Sequence, residues 1–345
     1  MAGEHQKSAA GHELLIGTSG YSYPDWKGTF YPRDLKKRVK SAVAELTYLS
    51  HYFNFCEINA TFYGHFEPKI AARWCDAVAD SAGFQFGIKA NKAFTHAPDA
   101  RNTSTSIDTL KYSSQDLEQT RRFLDVLAEK DKLAVVLFQF PVSFKFKAKS
   151  KQTGELERIE GSWDYLIDVL NAFREYPKAV EFRHAAWDDE WVLDGLREAH
   201  TAWVNIDEPK LGDSLHGTTH VTAPLAYMRL HGRNYKKWFA SKNRDERYDY
   251  LYSEKELAPI AKDIAEMADK VDKSPDKRAQ KRVIAATNNH FRGQAPANGV
   301  QLKALLGQKK VKVPPTLAET YPQLKSDPNL TVADESDDTQ ASLAG

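Results

Sequence analysis

The stretch LAYMRLHG, residues 225–232, is an apolar run that ends in charged and polar residues. Seven more runs of this kind occur along the chain, separated by helix-length stretches: LLIGTSG from Leu14, FCEINATFY from Phe55, FQFGIKA from Phe84, LAVVLFQF from Leu133, KAVEFRH from Lys178, TAWVNID from Thr201 and RVIAATNNH from Arg282. Eight strands alternating with helices predict an α/β fold of the (β/α)8 type, the TIM barrel. Because chemistry in this fold lies where the strands end, the polar run endings are the candidate site.

The length and composition fit one barrel domain with rim insertions. The chain has 345 residues, of which 41% are hydrophobic and 28% charged, and a barrel of roughly 250 residues plus insertions accounts for that length. We predict the barrel domain at residues 13–325. Residues 1–12 and 326–345 are predicted to be disordered tails, since both lack hydrophobic periodicity and the second is acidic and rich in Ser and Asp.

The charge balance and the absence of apolar segments bear on localisation and partners. A formal net charge of +1 gives no overall basic field, so any attraction for anions must be local. No apolar stretch approaches the roughly 20 residues of a membrane span, and the polar start is unlike a signal peptide. Cys56 and Cys75 have no CxxC spacing and fit a reducing compartment. We therefore expect a cytoplasmic protein without membrane association.

Two segments are predicted to be insertions at the rim of the barrel. The charged stretch from Lys145 to Glu160 follows the fourth strand and is predicted to be a mobile insertion. GRNYKKWFASKNRDERYDYLYS, residues 232–253, follows the seventh strand and mixes basic with aromatic residues. Its core, 233–252, is predicted either to close over the site as a lid or to pack on the rim.

Strand alternation brings polar side chains together at the run endings, because side chains two residues apart share a face. The groups are Glu57 with Asn59 and Thr61, Lys89, Glu181 with Arg183, Asn205 with Asp207, and Arg229 with His231. Parallel barrel strands are usually apolar on both faces, so each buried charge requires a partner or a function. The three acidic and three basic charges of this set cancel, which allows a salt-bridge network. Apolar side chains would pack the barrel end at a lower desolvation cost, so the set favours a ligand.

The carboxylates and one histidine are the predicted catalytic residues. Glu57 and Glu181 face one mouth from different strands and are predicted to act as general acid and base. Among the histidines at run endings, His231 shares the face of Arg229, whereas His184 lies on the face opposite Arg183. His231 is therefore predicted to assist proton transfer.

Substrate binding is predicted for the cations of the mouth and for residues around them. Lys89, Arg183 and Arg229 would hold a carboxylate or phosphate. The other candidates lie at further strand ends and in the rim loops: Tyr21, Trp26, Asn59, His96, Gln139, Trp187, Asp207, Asn288, Asn289 and Arg292. Tyr21 and Trp26 could stack on a sugar ring or a base, or could simply pack a rim loop.

The loop after the eighth strand is a candidate phosphate site. Arg292 and free backbone N–H groups precede a helix predicted to start near Pro296, at the place where barrels commonly bind phosphate. Helix capping accounts for part of this pattern without any ligand.

Several blocks of the sequence are distinctive rather than generic: IGTSGYSYPDWKGTFYP, EINATFY, FGIKANKAFTH, LFQFP, AVEFRHAAW, MRLHG and NNHFRGQAPANG. In this order and spacing, from about Ile16 to Leu306, they resemble the domain-of-unknown-function family 72, also called YecE-like proteins. The resemblance implies a TIM barrel and no established reaction, so function has to be argued from the site. The family blocks carry over most of the candidates above, and Ser19 in addition. Thr287 departs from the family pattern, in which we expect an aromatic residue directly before the pair Asn288 and Asn289.

A divalent metal, Zn²⁺ or Mn²⁺, is an alternative chemistry for this mouth. Glu57, Glu181, Asp207 and His231 would form a mixed oxygen and nitrogen ligand set. No HxH, HExxH or DxD spacing occurs, and the nearby cations compete for the same carboxylates. We therefore predict no cofactor and keep the metal as the weaker hypothesis.

These observations predict an enzyme that hydrolyses or isomerises an anionic, polyhydroxylated small molecule at the carboxyl end of the barrel. A sugar phosphate or a nucleotide-like ligand fits this description. One alternative is a metal-dependent nucleic-acid enzyme that cleaves phosphodiesters and whose basic aromatic loop grips the strand, although the near-zero net charge counts against it. Another alternative is a protein that binds its ligand without turnover.

Overall fold

Eight parallel strands form a closed barrel in the computed structural model of the chain. The model describes residues 11–38, 43–96, 110–150, 152–210, 212–215, 217–235, 244–275 and 280–334. The barrel strands are β1 (Glu13–Ser19), β2 (Phe55–Ile58), β3 (Gln85–Lys89), β4 (Leu133–Gln139), β5 (Lys178–Glu181), β6 (Thr201–Asp207), β7 (Leu225–Leu230) and β8 (Arg282–Thr287). Each strand pairs with its neighbours in chain order, and β1 also pairs with β8. The predicted (β/α)8 barrel is confirmed.

The strands end earlier than the apolar runs that predicted them. The run FCEINATFY gives a strand only as far as Ile58, and a 3-10 turn at Ala60–Phe62 follows it. In the run KAVEFRH the strand ends at Glu181. Arg183 and His231 therefore lie just beyond their strands, at the rim where the parallel strands present their carboxyl ends.

Helices surround the barrel on the outside and bury their apolar faces against it. They are α1 (Leu35–Arg38), α2 (Ala44–Ser50), α3 (Pro68–Ala77), α4 (Ser114–Glu129), α5 (Ser162–Ala172), α6 (Glu190–Glu198), α7 (Glu254–Asp272), α8 (Gln294–Leu305) and α9 (Pro315–Thr320). The start of α4 is set by a capping box, in which Ser113 and Asp116 satisfy each other's backbone N–H groups. Within the described ranges, none of the helices is both long enough and apolar enough to cross a bilayer.

Below the mouth, an aromatic side chain fills the barrel interior. The ring of Phe55 lies 6.2 Å from that of Tyr227, edge to face, and is fully buried. A Cβ atom at Gly87 would lie only 2.7 Å from the Phe55 ring, so this position has room for glycine alone. Gly87 thus faces the interior, and Lys89, two residues later on the same strand, faces it at the mouth.

The insertion after β4, which its charged composition predicts to be a mobile segment, contains a two-stranded hairpin. Lys147–Lys149 pairs antiparallel with Leu156–Arg158. Phe146 stacks on Trp191 of α6 with ring centroids 5.5 Å apart, and the guanidinium carbon of Arg158 lies 4.0 Å from the centroid of the same indole ring. These contacts come from residues distant in sequence, and the short charged strands give no hydrophobic alternation from which to predict them.

The segment from Ser326, which the sequence predicts to be a disordered tail, contains one short strand. Leu330–Val332 forms a short parallel pair with Val311–Val313, and the N–H of Ala333 donates to the carbonyl of Val313 at 2.9 Å. Residues 335–345 of that tail, and 1–10 of the predicted N-terminal tail, lie outside the described residues.

Candidate active site

Arg229 occupies the centre of a buried charged network at the mouth of the barrel. Its side chain is 1% exposed. Nε and Nη2 donate to the two oxygens of Glu57 at 2.9 and 2.5 Å, and Nη1 donates to Glu181. Nη2 also donates to Ser19 Oγ at 3.1 Å, and Nη1 lies 3.5 Å from His231 Nε2. All five N–H groups of this guanidinium are thus directed at protein atoms.

Glu57 is fully satisfied by its hydrogen bonds. Besides the two from Arg229, Oε1 accepts from the hydroxyl of Ser19 and Oε2 from that of Tyr227. Burial and the adjacent Glu57 raise the pKa of the Tyr227 hydroxyl well above its usual range, so it remains a donor. With four donors on two oxygens, Glu57 has no lone pair left for a ligand.

Glu181 lies between two guanidinium groups. Oε2 accepts a hydrogen bond from Arg229. Oε1 forms an ion pair with Arg183, with 2.6 Å between Oε1 and Nε, but the Nε–H bond is not directed at the oxygen and no hydrogen bond forms. Burial raises the pKa of Glu181, but Arg183 and Arg229 outweigh burial and hold it well below the usual range. Glu181 therefore stays ionised at neutral pH, which makes it a poor general acid.

Arg183 and Glu208 form the part of the network that faces outward. Nη1 of Arg183 donates to Oε2 of Glu208, and Nη2 lies 3.1 Å from His231 Nε2. The Arg183 side chain is 15% exposed, and one N–H group on each of Nη1 and Nη2 has no hydrogen-bond partner among the described residues. Oε1 of Glu208 likewise accepts no hydrogen bond from the described part of the chain. Burial raises the pKa of Glu208 despite the opposing charge of Arg183.

His231 is buried as a neutral ring. Burial and the charge of Arg183 lower its pKa to about 3. Nε2 faces the guanidinium of Arg183, and Nδ1 is 2.8 Å from the side-chain amide of Asn288. A ring with so low a pKa is not in its imidazolium form at neutral pH and is a weak base, so the geometry gives His231 an orienting role.

Lys89 stands apart from the guanidinium network. Nζ donates to Oε1 of Gln139 at 2.9 Å and lies 4.2 Å from the centroid of the Phe62 ring. The side chain of His96 packs edge-on against the same ring, and burial together with the charge of Lys89 lowers its pKa to about 4. Asn59, by contrast, adjoins the guanidinium network, because its side-chain amide donates to Ser19 Oγ at 3.3 Å.

The structure brings most of the predicted site residues into one mouth. They are Glu57, Asn59, Lys89, His96, Gln139, Glu181, Arg183, Arg229, His231 and Asn288. The remaining predicted site residues lie in rim loops or face away from the network.

The candidate aromatic residues belong to packed rim loops. Trp26 and Trp187 are fully buried, and their indole N–H groups donate to the carbonyls of His290 at 2.6 Å and Phe144 at 2.8 Å. An indole with both faces packed offers no surface to a sugar or base, so the stacking predicted for Trp26 does not fit this placement. Tyr21 is partly exposed and uses its carbonyl to accept from Tyr31.

Asp207 faces away from the network. Its carboxylate accepts from Nη2 of Arg233 and from the hydroxyl of Tyr252, both at 2.6 Å. Asn205, on the same face of β6, contacts Met267 of α7 outside the barrel. Arg233 and Tyr252 belong to the predicted lid, of which 236–243 lies outside the described residues.

The eighth loop is held by protein contacts as well. Asn289 donates to the carbonyl of Tyr250 and to Asn298 Oδ1, both at 2.8 Å. The backbone N–H of Arg292 is one of the groups predicted to bind phosphate. It donates instead to the carboxylate of Asp25 at 2.5 Å. The helix of this loop, α8, begins at Gln294, two residues earlier than predicted.

The predicted metal ligands do not converge. Among the residues that the structure describes, no three His, Cys, Asp or Glu side chains are arranged to hold a metal ion. Asp207 points outward, while Glu57 and Glu181 face guanidinium groups. The metal-dependent alternative therefore lacks the ligand set on which it was based.

Two members of the network were missed in the sequence. Tyr227 lies two residues before Arg229 on β7, and alternation alone would have placed it on the same face. Glu208 lies just past the end of β6, two residues after Ile206, which pairs in register with Arg229. Had the inward-facing side chains of β6 been counted from Ile206 rather than from Asn205, Glu208 would have been predicted to face the mouth.

A closed parallel barrel with a buried ion-pair network at its carboxyl end defines this protein as an α/β barrel with a polar mouth. The chain belongs to the family described as "Protein of unknown function DUF72", whose model matches residues 15–323. The family and the fold expected from the sequence are thereby confirmed.

Solved structures of the same family are similar over nearly their whole length. A DUF72 family protein from Thermotoga maritima MSB8 is 32% identical, with a TM-score of 0.66 over 86% of this chain and 99% of its own. One from Enterococcus faecalis V583 is 21% identical, with a TM-score of 0.62 over 86% of this chain and 98% of its own. A comparison with curated proteins gave no match. The family description names no reaction, so the site must supply the function.

Proposed function

We propose that this protein is an enzyme that hydrolyses or isomerises an anionic, polyhydroxylated small molecule, such as a sugar phosphate, at the barrel mouth. One observation carries the proposal. Within the part of the chain that the structure describes, Arg183 and Glu208 in the outward part of the network keep hydrogen-bonding groups without a partner, whereas Glu57 and Arg229 beneath them keep none.

The energetic cost of the network supports a functional reason for it. Burying an ion costs several kcal/mol even after relaxation, and apolar residues of similar volume are often as stable or more stable. This mouth buries three carboxylates and two guanidinium groups. Such an arrangement holds charged groups in fixed positions in a water-poor environment, where hydrogen bonds to a ligand are strong.

The contacts suggest a division of roles. The N–H groups on Nη1 and Nη2 of Arg183 that have no partner among the described residues would hold the anionic group or adjacent hydroxyls of the substrate. Glu208, whose pKa is raised by burial, would donate and accept the proton. Glu57 and Glu181 would position Arg229 and Arg183, which revises the acid and base roles predicted from the sequence.

A turnover assay on the full chain tests the proposal. Purified protein is incubated with a set of phosphorylated aldoses, ketoses and nucleotides, and ³¹P and ¹H NMR follow product formation. Glu208→Gln should lower the rate by about 10²–10⁴-fold, the contribution typical of general acid–base catalysis. Glu157→Gln, at an exposed position of the hairpin, is the matched control and should keep the full rate.

Two results would count against this function. Tight binding of a phosphorylated sugar without any product would support the ligand-binding alternative. Turnover that is equal in Glu208→Gln and in the unaltered protein would remove Glu208 from the chemistry.

A further inference from the structure

Lys89 differs from the other two cations of the mouth in what it contacts. Arg183 and Arg229 each touch two carboxylates. Nζ of Lys89, by contrast, donates to the neutral amide of Gln139 and lies over the ring of Phe62, and no described carboxylate is within 4 Å of it. The side chain is only 7% exposed. Neither an amide oxygen nor an aromatic face supplies the full negative charge that normally holds the proton on a buried amine.

Charged groups of both signs face Lys89 from several elements. Arg229 on β7 and Arg183 after β5 repel its proton, while Glu181 on β5 and Glu57 on β2 attract it. Burial is the largest influence, and together with Arg229 it lowers the pKa of Lys89 to about 7. A substantial share of this side chain is therefore a free amine at neutral pH, and a free amine is a nucleophile.

Lys89 lies at the carboxyl end of the barrel strands, the end at which enzymes of this fold bind their substrates. It is the last residue of β3 and faces the barrel interior above Gly87. Gln139, its hydrogen-bond partner, is the last residue of β4 and pairs in backbone register with Glu181, so Lys89 lies at the same level of the barrel as the carboxylate between the two arginines. A ligand held by Arg183 and Glu208 would occupy the same mouth.

We propose that Lys89 is a nucleophile that forms an imine with the carbonyl carbon of an aldehyde or ketone substrate, such as the open-chain form of a sugar phosphate. The substrate class rests on the proposed function. The imine would make Lys89 a catalytic residue, and it replaces the anion-holding role that the sequence predicted for this lysine.

The step balances without any oxidant or reductant. The lone pair of Nζ adds to the carbonyl carbon, and the π pair of the C=O bond moves to the oxygen, which takes up a proton. The nitrogen releases one proton to give a neutral carbinolamine. Protonation of its hydroxyl group lets the C–O bond break with loss of water, and the nitrogen lone pair forms the C=N bond of a protonated imine. Overall, one amine, one carbonyl and one proton give one protonated imine and one water.

Reductive trapping on the full chain tests this proposal directly. The protein is mixed with D-glyceraldehyde 3-phosphate or dihydroxyacetone phosphate and sodium cyanoborohydride, whose hydride converts the imine to a stable secondary amine. Intact mass and peptide mapping then give the number and position of the adducts. We expect one adduct at Lys89, with a rate at least about tenfold above that of exposed lysines and a fall of about tenfold per pH unit below its pKa.

The chain supplies a matched internal control in Lys303. This lysine is also partly buried, donates to the carbonyl of Tyr52 at 2.7 Å, and has a pKa lowered by burial to about 8, but it lies on α8 rather than in the mouth. Lys89→Arg keeps a positive charge and cannot form an imine, so its adduct count should fall by one. Thermal unfolding of that variant checks that it folds.

The outcomes separate this proposal from the proposed function. Labelling of Lys89 no faster than that of Lys303 would overturn the imine, and so would full turnover of a carbonyl substrate by Lys89→Arg. If turnover sensitive to Glu208→Gln is found without trapping at Lys89, the imine fails and the proposed function stands. Selective trapping at Lys89 without turnover of any phosphorylated sugar supports the nucleophile and contradicts the proposed enzyme.

Discussion

The lower and upper parts of the barrel mouth contain the same kinds of side chains but differ in how many hydrogen-bonding groups are free. In the lower part, Glu57 and Arg229 are saturated by each other, by Ser19 and by Tyr227. In the upper part, Arg183 and Glu208 share one hydrogen bond and have other hydrogen-bonding groups that no described residue uses. A saturated buried charge fixes geometry, whereas a partly open one can meet a ligand, so charge alone does not identify the working residues.

Removing Arg229 should have the largest effect on stability. Arg229→Met would leave the carboxylates of Glu57 and Glu181 buried without their common partner, and breaking a buried pair in this way costs about 3–5 kcal/mol. Urea unfolding monitored by circular dichroism measures the loss. Arg174→Met, at a side chain that is 78% exposed, is the control and should change stability by less than about 0.5 kcal/mol. A loss of unfolding free energy in Arg229→Met as small as that of the control would contradict the account of the lower part as a saturated network.

His231 should make stability depend on pH in the acid range. Its folded-state pKa is about 3, below the unfolded value near 6.5, so the unfolded chain gains a proton that the folded chain does not. The contribution is complete above pH 6.5 and is lost as the pH falls towards 3, by about 1.4 kcal/mol per pH unit. His231→Gln should reduce the slope of the unfolding free energy against pH by the contribution of one bound proton, which is about 1.4 kcal/mol per pH unit. An unchanged slope would show that the ring titrates normally.

The hydroxyl of Tyr227 should make a smaller contribution. Tyr227→Phe removes one of the four donors to Glu57 and leaves a lone pair of a buried carboxylate unsatisfied, which costs about 1–3 kcal/mol. Tyr235→Phe, at a side chain that is 65% exposed, should be neutral in the same chemical denaturation experiment. Equal effects of the two substitutions would mean that the Tyr227 hydroxyl contributes nothing to the network.

Periodic features of the sequence predicted the barrel and much of its mouth. The eight runs gave the strands, and two-residue alternation placed Glu57 with Arg229 and His231 at one end, because both depend only on local backbone geometry. Asp207 was placed in the mouth because the alternation of β6 was counted through Asn205, and Glu208 was missed for the same reason.

Loop contacts could not be predicted in this way. Trp26 hydrogen-bonds the carbonyl of His290, 264 residues away, and Phe146 stacks on Trp191 across the hairpin. No periodicity encodes such long-range pairs. The state of hydrogen-bond saturation is equally non-local, because it depends on which donors from other strands meet at one carboxylate, as those from β1 and β7 do at Glu57.

The same substitution in the two parts of the mouth tests the central claim most directly. Urea unfolding of Glu57→Gln and Glu208→Gln compares the loss of one carboxylate charge, at equal size, in the saturated and the open part. We expect a loss of about 3 kcal/mol or more for Glu57→Gln, because Arg229 loses a charged partner that accepts two of its hydrogen bonds. For Glu208→Gln we expect less than about 1 kcal/mol, because burial already disfavours its charge and the amide oxygen still accepts from Arg183. Equal losses, or a larger loss at Glu208, would contradict the division of the mouth into a positioning part and a ligand-binding part.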